Sequence, residues 1–347
     1  MEQVVKVALV GFGYAGHTFH APLIASTPGM ILDTVVSSDP AKVLARHPRT
    51  RVVAHASQAF ADSQIDLVVI AAPNAAHAPL AAAALAQGKH VVVDKPFALD
   101  LQQAREVVAQ SERANRIVCV FQNRRWDSDF LTLRVLMDKG SLGEIAEFHS
   151  HFDRYRPVVV DRWRERDLPG SGLWFDLGPH LLDQALQLFG PPQAVFADIA
   201  RQREGARADD YFQVLLRYPR LRVSLHGGSL VVANGLRFAV HGTRGSYVKH
   251  GTDAQEDALR EGIVPGTAGW GEDPQPGKLH QPGGAGNTIE TVPNMPGNYI
   301  AYYRAMHAAI VHGHPPPIST TEALQVMSLL ELALRSSRER QELDWEG

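Results

Sequence analysis

The chain has 347 residues, more than one hydrophobic core usually organises, and its length therefore predicts two domains. Hydrophobic residues make up 45% and charged residues 20% of the chain, a composition that excludes a disordered protein. The formal net charge is −3 and no basic stripe is visible, which argues against a nucleic-acid-binding protein.

Cysteine content and hydropathy indicate the compartment. The single cysteine, Cys119, cannot form an internal disulfide, and this fits a reducing environment. No signal peptide is visible, and no apolar run approaches the roughly 20 residues needed to span a bilayer. We expect a cytoplasmic protein without a membrane or nucleic-acid partner.

Apolar runs alternate with helical segments through the first part of the chain. Helical stretches follow the first strand to about residue 27 and then cover 40–46, 77–87 and 101–114. The predicted strands cover 4–10, 31–37, 65–72, 90–94 and 117–121. Continuous apolar strands separated by helices are typical of parallel βαβ units, so residues 1–121 are predicted to form a Rossmann domain with a doubly wound parallel sheet.

The pattern then changes to short strands joined by tight turns. Strands are predicted around 144–153, 194–203, 210–218, 221–229, 236–241 and 245–249, with helices at 127–138, 174–188, 298–312 and 320–338. Residues 251–297 are rich in glycine and proline and are predicted to be a long surface loop or lid.

These elements predict an α/β protein whose second domain, residues 122–347, is an α+β domain with an open, mostly antiparallel sheet. The open face of such a sheet needs a cover. A second subunit provides one, so we expect a homo-oligomer.

A GxGxxG motif, GFGYAG at 11–16, follows the first strand and opens a helix, which is the context that a dinucleotide site requires. Its first glycine allows the tight turn, the second lets the backbone approach the pyrophosphate, and the third lets the helix pack on the strand. The candidate cofactor residues of this turn are Gly11, Phe12, Gly13, Tyr14 and Gly16.

The end of the second strand bears on the choice between NAD(H) and NADP(H). If Asp39-Pro40 begins the next helix, then Ser37 or Ser38 occupies the position that is usually acidic in NAD enzymes. Small hydroxyls there, with Lys42 just downstream, favour the 2′-phosphate of NADP(H). The rival register places Asp39 on the ribose and implies NAD(H).

Polar residues follow the third and fourth strands. Pro73, Asn74 and His77 come after the third strand, where they are candidate cofactor residues. Asn74 is also a candidate helix N-cap. Lys95 follows the fourth strand, and the same rule predicts that it faces the cofactor rather than solvent.

Asp176 and His180 are spaced i, i+4 on a predicted helix and so share one face. An aspartate one turn from a histidine can fix its tautomer and raise its basicity. Oxidation of a secondary alcohol needs a group that accepts the hydroxyl proton, and a histidine suits that task. A lysine ammonium beside the same oxygen stabilises the developing alkoxide. Lys95, Asp176 and His180 are therefore the candidate catalytic set.

The sequence resembles the glucose–fructose oxidoreductase / inositol dehydrogenase (Gfo/Idh/MocA) family. The motifs are PNAAH at 73–77, DKPF at 94–97 and GSGLWFDLGPH at 170–180. The resemblance implies a Rossmann domain, a second domain with an open sheet, and a homodimer or homotetramer packed through that sheet. Lys95 matches the family's lysine, and Asp176 and His180 match its D-x-x-x-H.

Three further motifs resemble the bacterial branch that includes NADP-dependent scyllo-inositol dehydrogenases. They are TFHAP at 18–22, NRRWDSDF at 123–130 and HFDRYRP at 151–157. The loop before Asp176 is bulkier than the family usually has, and this can reshape the substrate pocket.

Substrate residues are predicted at the domain junction and along one strand. Asn123 and Arg124 follow the fifth strand. Asp153 and Tyr155 are predicted to share one face of a later strand, where a polyol can bind, and Arg154 lies on the opposite face. Lys95, Asp176 and His180 are also expected to contact the substrate. No metal site is predicted, because His17 and His20 lack nearby acidic or cysteine ligands.

The predicted function is an NADP(H)-dependent oxidoreductase, with NAD(H) as the alternative cofactor, that interconverts a secondary alcohol and a ketone on a cyclic polyol or sugar. His180 would exchange the proton, Lys95 would stabilise charge on the reacting oxygen, and Asp176 would orient His180. The alternatives are a non-catalytic NADP(H)-binding redox sensor and a reductase of the same fold with a different carbonyl substrate.

Overall fold

The structure is a computed structural model that describes residues 3–233, 235–284 and 286–346. The chain divides into two compact units. The first comprises Met1–Trp126, Gln255–Trp270 and Asn298–Met327, and the second comprises Asp127–Ala254, Gly271–Gly297 and Ser328–Gly347. Two segments that the sequence analysis gave to the second domain, around residues 255–270 and 298–327, therefore belong to the first unit.

The first unit contains a six-stranded sheet. Its strands are β1 (Val5–Val10), β2 (Met30–Val36), β3 (Arg51–Val53), β4 (Leu67–Ile70), β5 (His90–Val93) and β6 (Val118–Val120). All adjacent strands pair in parallel, in the order β3-β2-β1-β4-β5-β6. This is the doubly wound order of a Rossmann domain.

Helices lie between these strands along the chain. They are α1 (Ala21–Ala25), α2 (Pro40–Leu44), α3 (Ala56–Phe60), α4 (His77–Ala86) and α5 (Leu101–Ala114). The central strand β4 is apolar on both faces and fully buried, as βαβ crossovers require. The edge strand β3 and helix α3 were not predicted, because three and five residues carry little periodic signal.

The second unit contains a nine-stranded sheet, whose helical cover includes α6 (Ser128–Asp138) and α7 (Gly172–Phe189). The strands are β7 (Ile145–His151), β8 (Ala194–Ala200), β9 (Tyr211–Arg217), β10 (Arg222–Gly228), β11 (Leu236–Gly242), β12 (Gly245–His250), β13 (Gly277–Gly283), β14 (Gly286–Val292) and β15 (Leu343–Asp344). Only the β7–β10 pairing is parallel among the described pairs, in the order β14-β13-β12-β11-β7-β10-β9-β8-β15. The predicted fold class is confirmed.

The core of the second unit includes a buried ion pair. Arg237 on β11 donates from Nε to Asp129 Oδ2 of α6 at 3.0 Å, and from Nη2 to Gln184 Oε1 of α7 at 2.7 Å. Charged groups tolerate such burial when they are paired and hydrogen-bonded. Arg237 thereby joins two helices to the sheet.

The segment 251–297 differs from the expected long loop. It contains helix α8 (Gln255–Arg260) and the hairpin β13–β14, which extends the nine-stranded sheet. The hairpin was not predicted, because its glycine- and proline-containing strands show weak alternation and depend on tertiary pairing for their stability. Helix α8 was not predicted because it has only six residues.

Two further helices, α9 (Ile300–His312) and α10 (Thr320–Glu339), follow this segment. Among the residues described, every helix is too short or too polar to cross a bilayer.

Candidate functional site

The glycine turn after β1 has the local geometry of a dinucleotide site. Gly11 has a φ of +97°, and a Cβ there would lie 2.5 Å from the Ala71 carbonyl oxygen. A Cβ on Gly16 would lie 2.1 Å from the Gly11 carbonyl oxygen. A Cβ on Gly13, in contrast, would meet nothing within 4 Å. Gly11 and Gly16 are therefore required by packing, while Gly13 leaves open space where a pyrophosphate can approach the backbone.

After β2, Asp39-Pro40 begins the next helix, which is the first of the two arrangements predicted for this segment. The Asp39 side chain caps α2 by accepting the backbone N–H of Lys42 at Oδ1, at 3.0 Å. The Ser37 hydroxyl oxygen accepts the backbone N–H of Asp39 at 3.1 Å. Asp39 is therefore the cap of α2, and Ser37 and Ser38 lie between this cap and the end of β2.

Several basic side chains lie around the glycine turn. The sequence analysis did not include all of them among the cofactor residues. Lys42 Nζ donates to the Phe12 carbonyl oxygen at 3.2 Å, and the Phe12 ring contacts the rings of His17 and His47 edge-on. Burial lowers the pKa of His17, and the positive charges of Arg46 and Lys42 lower it further. The cluster is suited to an anionic group.

His77 links the ends of two strands. Its Nδ1 lies 2.7 Å from the Pro96 carbonyl oxygen, and its Nε2 lies 2.9 Å from the Ala72 carbonyl oxygen. The ring is buried, as is the neighbouring Asn74. His77 thus positions the segment that carries Lys95, with both ring nitrogens directed at backbone carbonyls.

Lys95 follows β5 and lies beside a buried charge network. The Asp94 carboxylate accepts the backbone N–H of Lys95 at 2.8 Å and lies 3.9 Å from Nε2 of His20. His20 is fully buried, and its Nδ1 lies 2.6 Å from the Tyr303 hydroxyl. Burial raises the pKa of Asp94, but His20 and the charge of Lys95 outweigh it and hold that pKa at about 2. A permanent negative charge therefore stands next to Lys95.

The segment after β6 connects to the glycine turn through a residue that the sequence analysis placed in a loop. Glu256 on α8 accepts from the Tyr14 hydroxyl at 2.7 Å and from Arg124 Nη2 at 3.0 Å. Arg125 forms an ion pair with Glu322 at 2.9 Å. Glu256 thus holds two of the predicted site residues, and Asn123 beside them is buried.

Asp176 and His180 lie on α7, as predicted, in the second unit, whereas Lys95 lies in the first. The Asp176 carboxylate is 3.5 Å from Arg154 Nη1 and 3.7 Å from Arg164 Nε. His180 is buried. The arginine partners, which sequence spacing did not show, make Asp176 part of a charged cluster.

The first turn of α7 is held by Asp209, which the sequence analysis missed. Its carboxylate accepts the backbone N–H of Trp174 at 2.6 Å, and a Cβ on Gly172 would lie only 2.0 Å from it. Burial raises the pKa of Asp209 to about 6, against the opposing effect of the N–H groups it accepts. The ring of Trp174 is fully buried, as core packing requires.

Asp153, Arg154 and Tyr155 are consecutive or nearly consecutive in the chain but contact different partners. The Asp153 carboxylate lies between two imidazoles, 2.8 Å from His226 Nδ1 and 3.3 Å from His151 Nδ1. Tyr155 is 56% exposed and forms an isolated backbone bridge with Leu230. Of these three residues it is Arg154 that contacts Asp176.

Cys119 is excluded as a nucleophile. Its thiol is buried and lies 3.4 Å from the Ile318 carbonyl oxygen. Burial raises the pKa of the thiol to about 11, so it is protonated at neutral pH.

Two family models match the chain in the order of its two sheets. Residues 5–122 match "Oxidoreductase family, NAD-binding Rossmann fold", and residues 134–344 match "Oxidoreductase family, C-terminal alpha/beta domain". The chain belongs to the Gfo/Idh/MocA family of NAD(P)-dependent oxidoreductases, and the resemblance drawn from its motifs is confirmed.

Three relatives show how far the similarity extends. The chain is 51% identical to the uncharacterized oxidoreductase YdgJ of Escherichia coli, over 98% of each chain. It is 37% identical to the scyllo-inositol 2-dehydrogenase (NADP(+)) IolW of Bacillus subtilis, over 97% of this chain and 94% of that one. The solved structure of the YPO2259 protein of Yersinia pestis has a TM-score of 0.96 and 48% identity, covering 100% and 99% of the two chains.

Proposed function

We propose that the chain is an NADP(H)-dependent oxidoreductase that interconverts a secondary alcohol and a ketone on a cyclic polyol or sugar. The observation that carries the cofactor assignment is the capping of α2 by Asp39, which leaves Ser37 and Ser38 as the residues between the end of β2 and that cap. Lys42 Nζ lies 3.2 Å from the Phe12 carbonyl oxygen of the glycine turn. A carboxylate at the serine position would repel a 2′-phosphate, whereas hydroxyl and ammonium groups can donate to it. The relative IolW, whose name specifies NADP(+), supports the same choice.

The residues of the chain fit the dinucleotide. The open space above Gly13 accepts a pyrophosphate, Gly11 and Gly16 shape the turn, and Phe12 and Tyr14 flank it. Pro73, Asn74 and His77 follow β4 at the carboxyl end of the parallel sheet, where such folds bind their ligands. Bound NADP⁺ would supply the hydride acceptor.

The chemistry of the alcohol is assigned to three side chains. We assign to His180 the acceptance of the hydroxyl proton, and to Lys95 a hydrogen bond to the reacting oxygen that stabilises its developing negative charge. The Asp94 carboxylate, whose pKa is held at about 2, places a negative charge next to Lys95. Asp176 sets the electrostatics around His180 and contributes to substrate binding.

Substrate binding is proposed for a further group of polar side chains. Asn123 and Arg124 follow β6, and Tyr155 follows β7. We favour Arg154 over Asp153 as the contact in this region, because Arg154 lies beside Asp176 and Asp153 is engaged by two histidines. Guanidinium and amide groups match the vicinal hydroxyls of a polyol.

The test is to measure initial rates of NADP⁺ and NAD⁺ reduction against a panel of inositols, sugars and sugar acids. We expect turnover with a cyclic polyol and a higher kcat/KM for NADP⁺. Ser37→Asp should lower that preference by at least about tenfold, which is roughly one charge–charge contact of 1.4 kcal/mol. Ser57→Asp, at an exposed position on α3, is the matched control and should leave it unchanged.

Two results would contradict parts of the proposal. Preference of the wild-type chain for NAD⁺ would overturn the cofactor assignment and leave the alcohol chemistry in place. Binding of NADPH without turnover of any alcohol on the panel would overturn the substrate class and favour another carbonyl substrate or a sensor.

A further inference from the structure

A compact cluster of two histidines and one aspartate lies on the sheet of the second unit. His151 at the end of β7 pairs in register with His226 on the parallel strand β10, and Asp153 lies two residues beyond His151. One donor atom from each of the three side chains lies within 4.8 Å of the other two. The two imidazoles are neighbours, with ring centroids 4.9 Å apart.

The three side chains of the cluster are mostly buried, and neighbouring strands and a ring fix their positions. The exposed fractions of the side chains are 21% for His151, 6% for Asp153 and 16% for His226. Backbone pairing between β7 and β10 continues past the strand end, because Arg154 N donates to the Gly228 carbonyl oxygen at 2.9 Å. The ring of Tyr211 packs edge-on against His226, with ring centroids 5.4 Å apart. The donor atoms are therefore preorganised by two hydrogen-bonded strands and a neighbouring ring.

The donor set matches a specific class of ion. Imidazole nitrogen suits zinc, copper and nickel, and carboxylate oxygen completes common zinc sites. Tetrahedral zinc with bonds of about 2.0–2.1 Å places its ligand atoms roughly 3.3 Å apart. The distances from Asp153 to the two Nδ1 atoms, 2.8 and 3.3 Å, need only a small opening to reach that value.

We propose that His151, Asp153 and His226 bind one divalent transition-metal ion of the zinc class, with a fourth coordination position open to water or an added ligand. Three protein ligands at one end of a strand pair leave that position free. The inference does not depend on the dehydrogenase reaction proposed above. It also revises the sequence analysis, which considered only His17 and His20 and predicted no metal site. His226 lies 73 residues from Asp153 along the chain, so sequence spacing did not bring the two together.

A second cluster provides a matched control. Glu147, His149 and His241 also bring their donor atoms within 4.8 Å of one another on strands β7 and β11. It is a looser group, since Glu147 is 58% and His149 35% exposed, and the Glu147–His149 contact is 3.4 Å long. If the proposal is right, metal affinity depends on His226 and not on His241.

The experiment is isothermal titration of Zn²⁺ into chelator-stripped protein, using the wild type, His226→Gln, Asp153→Asn and His241→Gln. We expect one strong site per chain in the wild type. His226→Gln and Asp153→Asn should each weaken it by at least about tenfold, because loss of a ligand should cost no less than the 10–100-fold loss seen for outer-shell partners. His241→Gln should keep the wild-type affinity. Thermal unfolding of each apoprotein checks that the variants fold, and His151→Gln replaces His226→Gln if the latter does not.

Three outcomes would overturn the assignment. They are absence of stoichiometric Zn²⁺ binding by the wild type, unchanged affinity in both His226→Gln and Asp153→Asn, and loss of the same site in His241→Gln. A rise in the wild-type unfolding temperature with Zn²⁺ that His226→Gln lacks would support it independently.

Discussion

Lys95 is the residue whose surroundings most constrain the proposed chemistry. It follows a buried strand, its backbone N–H is bonded to Asp94, and Asp94 is held ionised next to the His20–Tyr303 pair. This places a carboxylate directly before Lys95 in the chain. We propose that the Lys95 ammonium donates to the reacting oxygen of the substrate.

Replacing the two proposed catalytic side chains should separate turnover from cofactor binding. We expect Lys95→Met and His180→Ala each to lower kcat by about 10²–10⁴-fold, the range for a positioned acid–base group. NADPH affinity, measured by fluorescence titration, should stay close to wild type, because the glycine turn and Ser37 are unaffected. Near-wild-type turnover in either variant would rule out its assigned role.

Local residue features were predictable, and distant ones were not. The capping of α2 by Asp39 was one of the two registers that the sequence left open, and it could be proposed because a cap involves only neighbours in the chain. The contact between His20 and Tyr303 joins residues 283 positions apart. A local sequence pattern cannot predict such a pair. The contacts among Asp94, His20 and Tyr303 next to Lys95 were therefore seen only in the structure.

Among the elements, α7 depends on a titratable cap. Asp209 accepts the Trp174 N–H at the first turn, and burial raises the pKa of Asp209 from 3.8 to about 6. Because the folded chain binds this proton more tightly than the unfolded chain, the contribution to stability is full below about pH 4. It is lost as the pH rises through about 6.

Asp209→Asn should remove this pH dependence. We expect the free energy of unfolding of the variant, relative to wild type, to rise by up to about 3 kcal/mol between pH 4 and pH 7. Urea unfolding at several pH values measures the difference. Asp198→Asn, at an exposed position on β8, is the control, and a difference for Asp209→Asn that stays constant with pH would contradict the account.

Helix α8 connects the glycine turn to the segment after β6 through Glu256. Glu256→Gln should loosen both contacts and raise the NADPH dissociation rate constant by about two- to fivefold, the effect of losing a partly exposed ion pair of roughly 0.5–1 kcal/mol. Stopped-flow displacement measures this rate. Asp257→Asn, which breaks an exposed pair with Arg260 on the same helix, should leave it unchanged, and equal effects in both variants would refute the role of Glu256.

Elements with strong periodicity were predicted most accurately. Helix α5 covers Leu101–Ala114, which are the predicted bounds, and the Asp100 side chain caps its first turn. The hairpin β13–β14 was predicted as loop, because its strands contain glycine and proline and depend on pairing with β12. Helix α8 was missed for a related reason: six residues carry too little periodicity to be read without their tertiary contacts.

For the whole molecule, the remaining prediction concerns assembly. Phe196 and Leu215 are directly paired across β8 and β9 and are 39% and 41% exposed. Because Phe212, on the opposite face of β9, packs against Trp174 of α7, these two side chains belong to the face that α7 does not cover. Large exposed apolar patches mark interaction surfaces, and we expect this pair to lie in the subunit contact predicted for the open face of the sheet.

Leu215→Glu should therefore convert a homo-oligomer into monomers, since it places a charge in the predicted apolar contact. Light scattering coupled to size exclusion measures the mass of the wild type and the variant. Ile263→Glu, an exposed apolar position in the first unit, is the control and should keep the wild-type mass. A monomeric wild type would contradict the prediction directly.

The central claim, hydride transfer from a secondary alcohol, is tested most directly by isotope transfer. The alcohol that is active in the panel is prepared with deuterium on the reacting carbon and incubated with NADP⁺ and the wild-type chain. The account predicts that the deuterium appears on the nicotinamide ring of the NADPH formed, in equal amount to the ketone. Ketone formation with the deuterium released to solvent instead of transferred to the nicotinamide would contradict it.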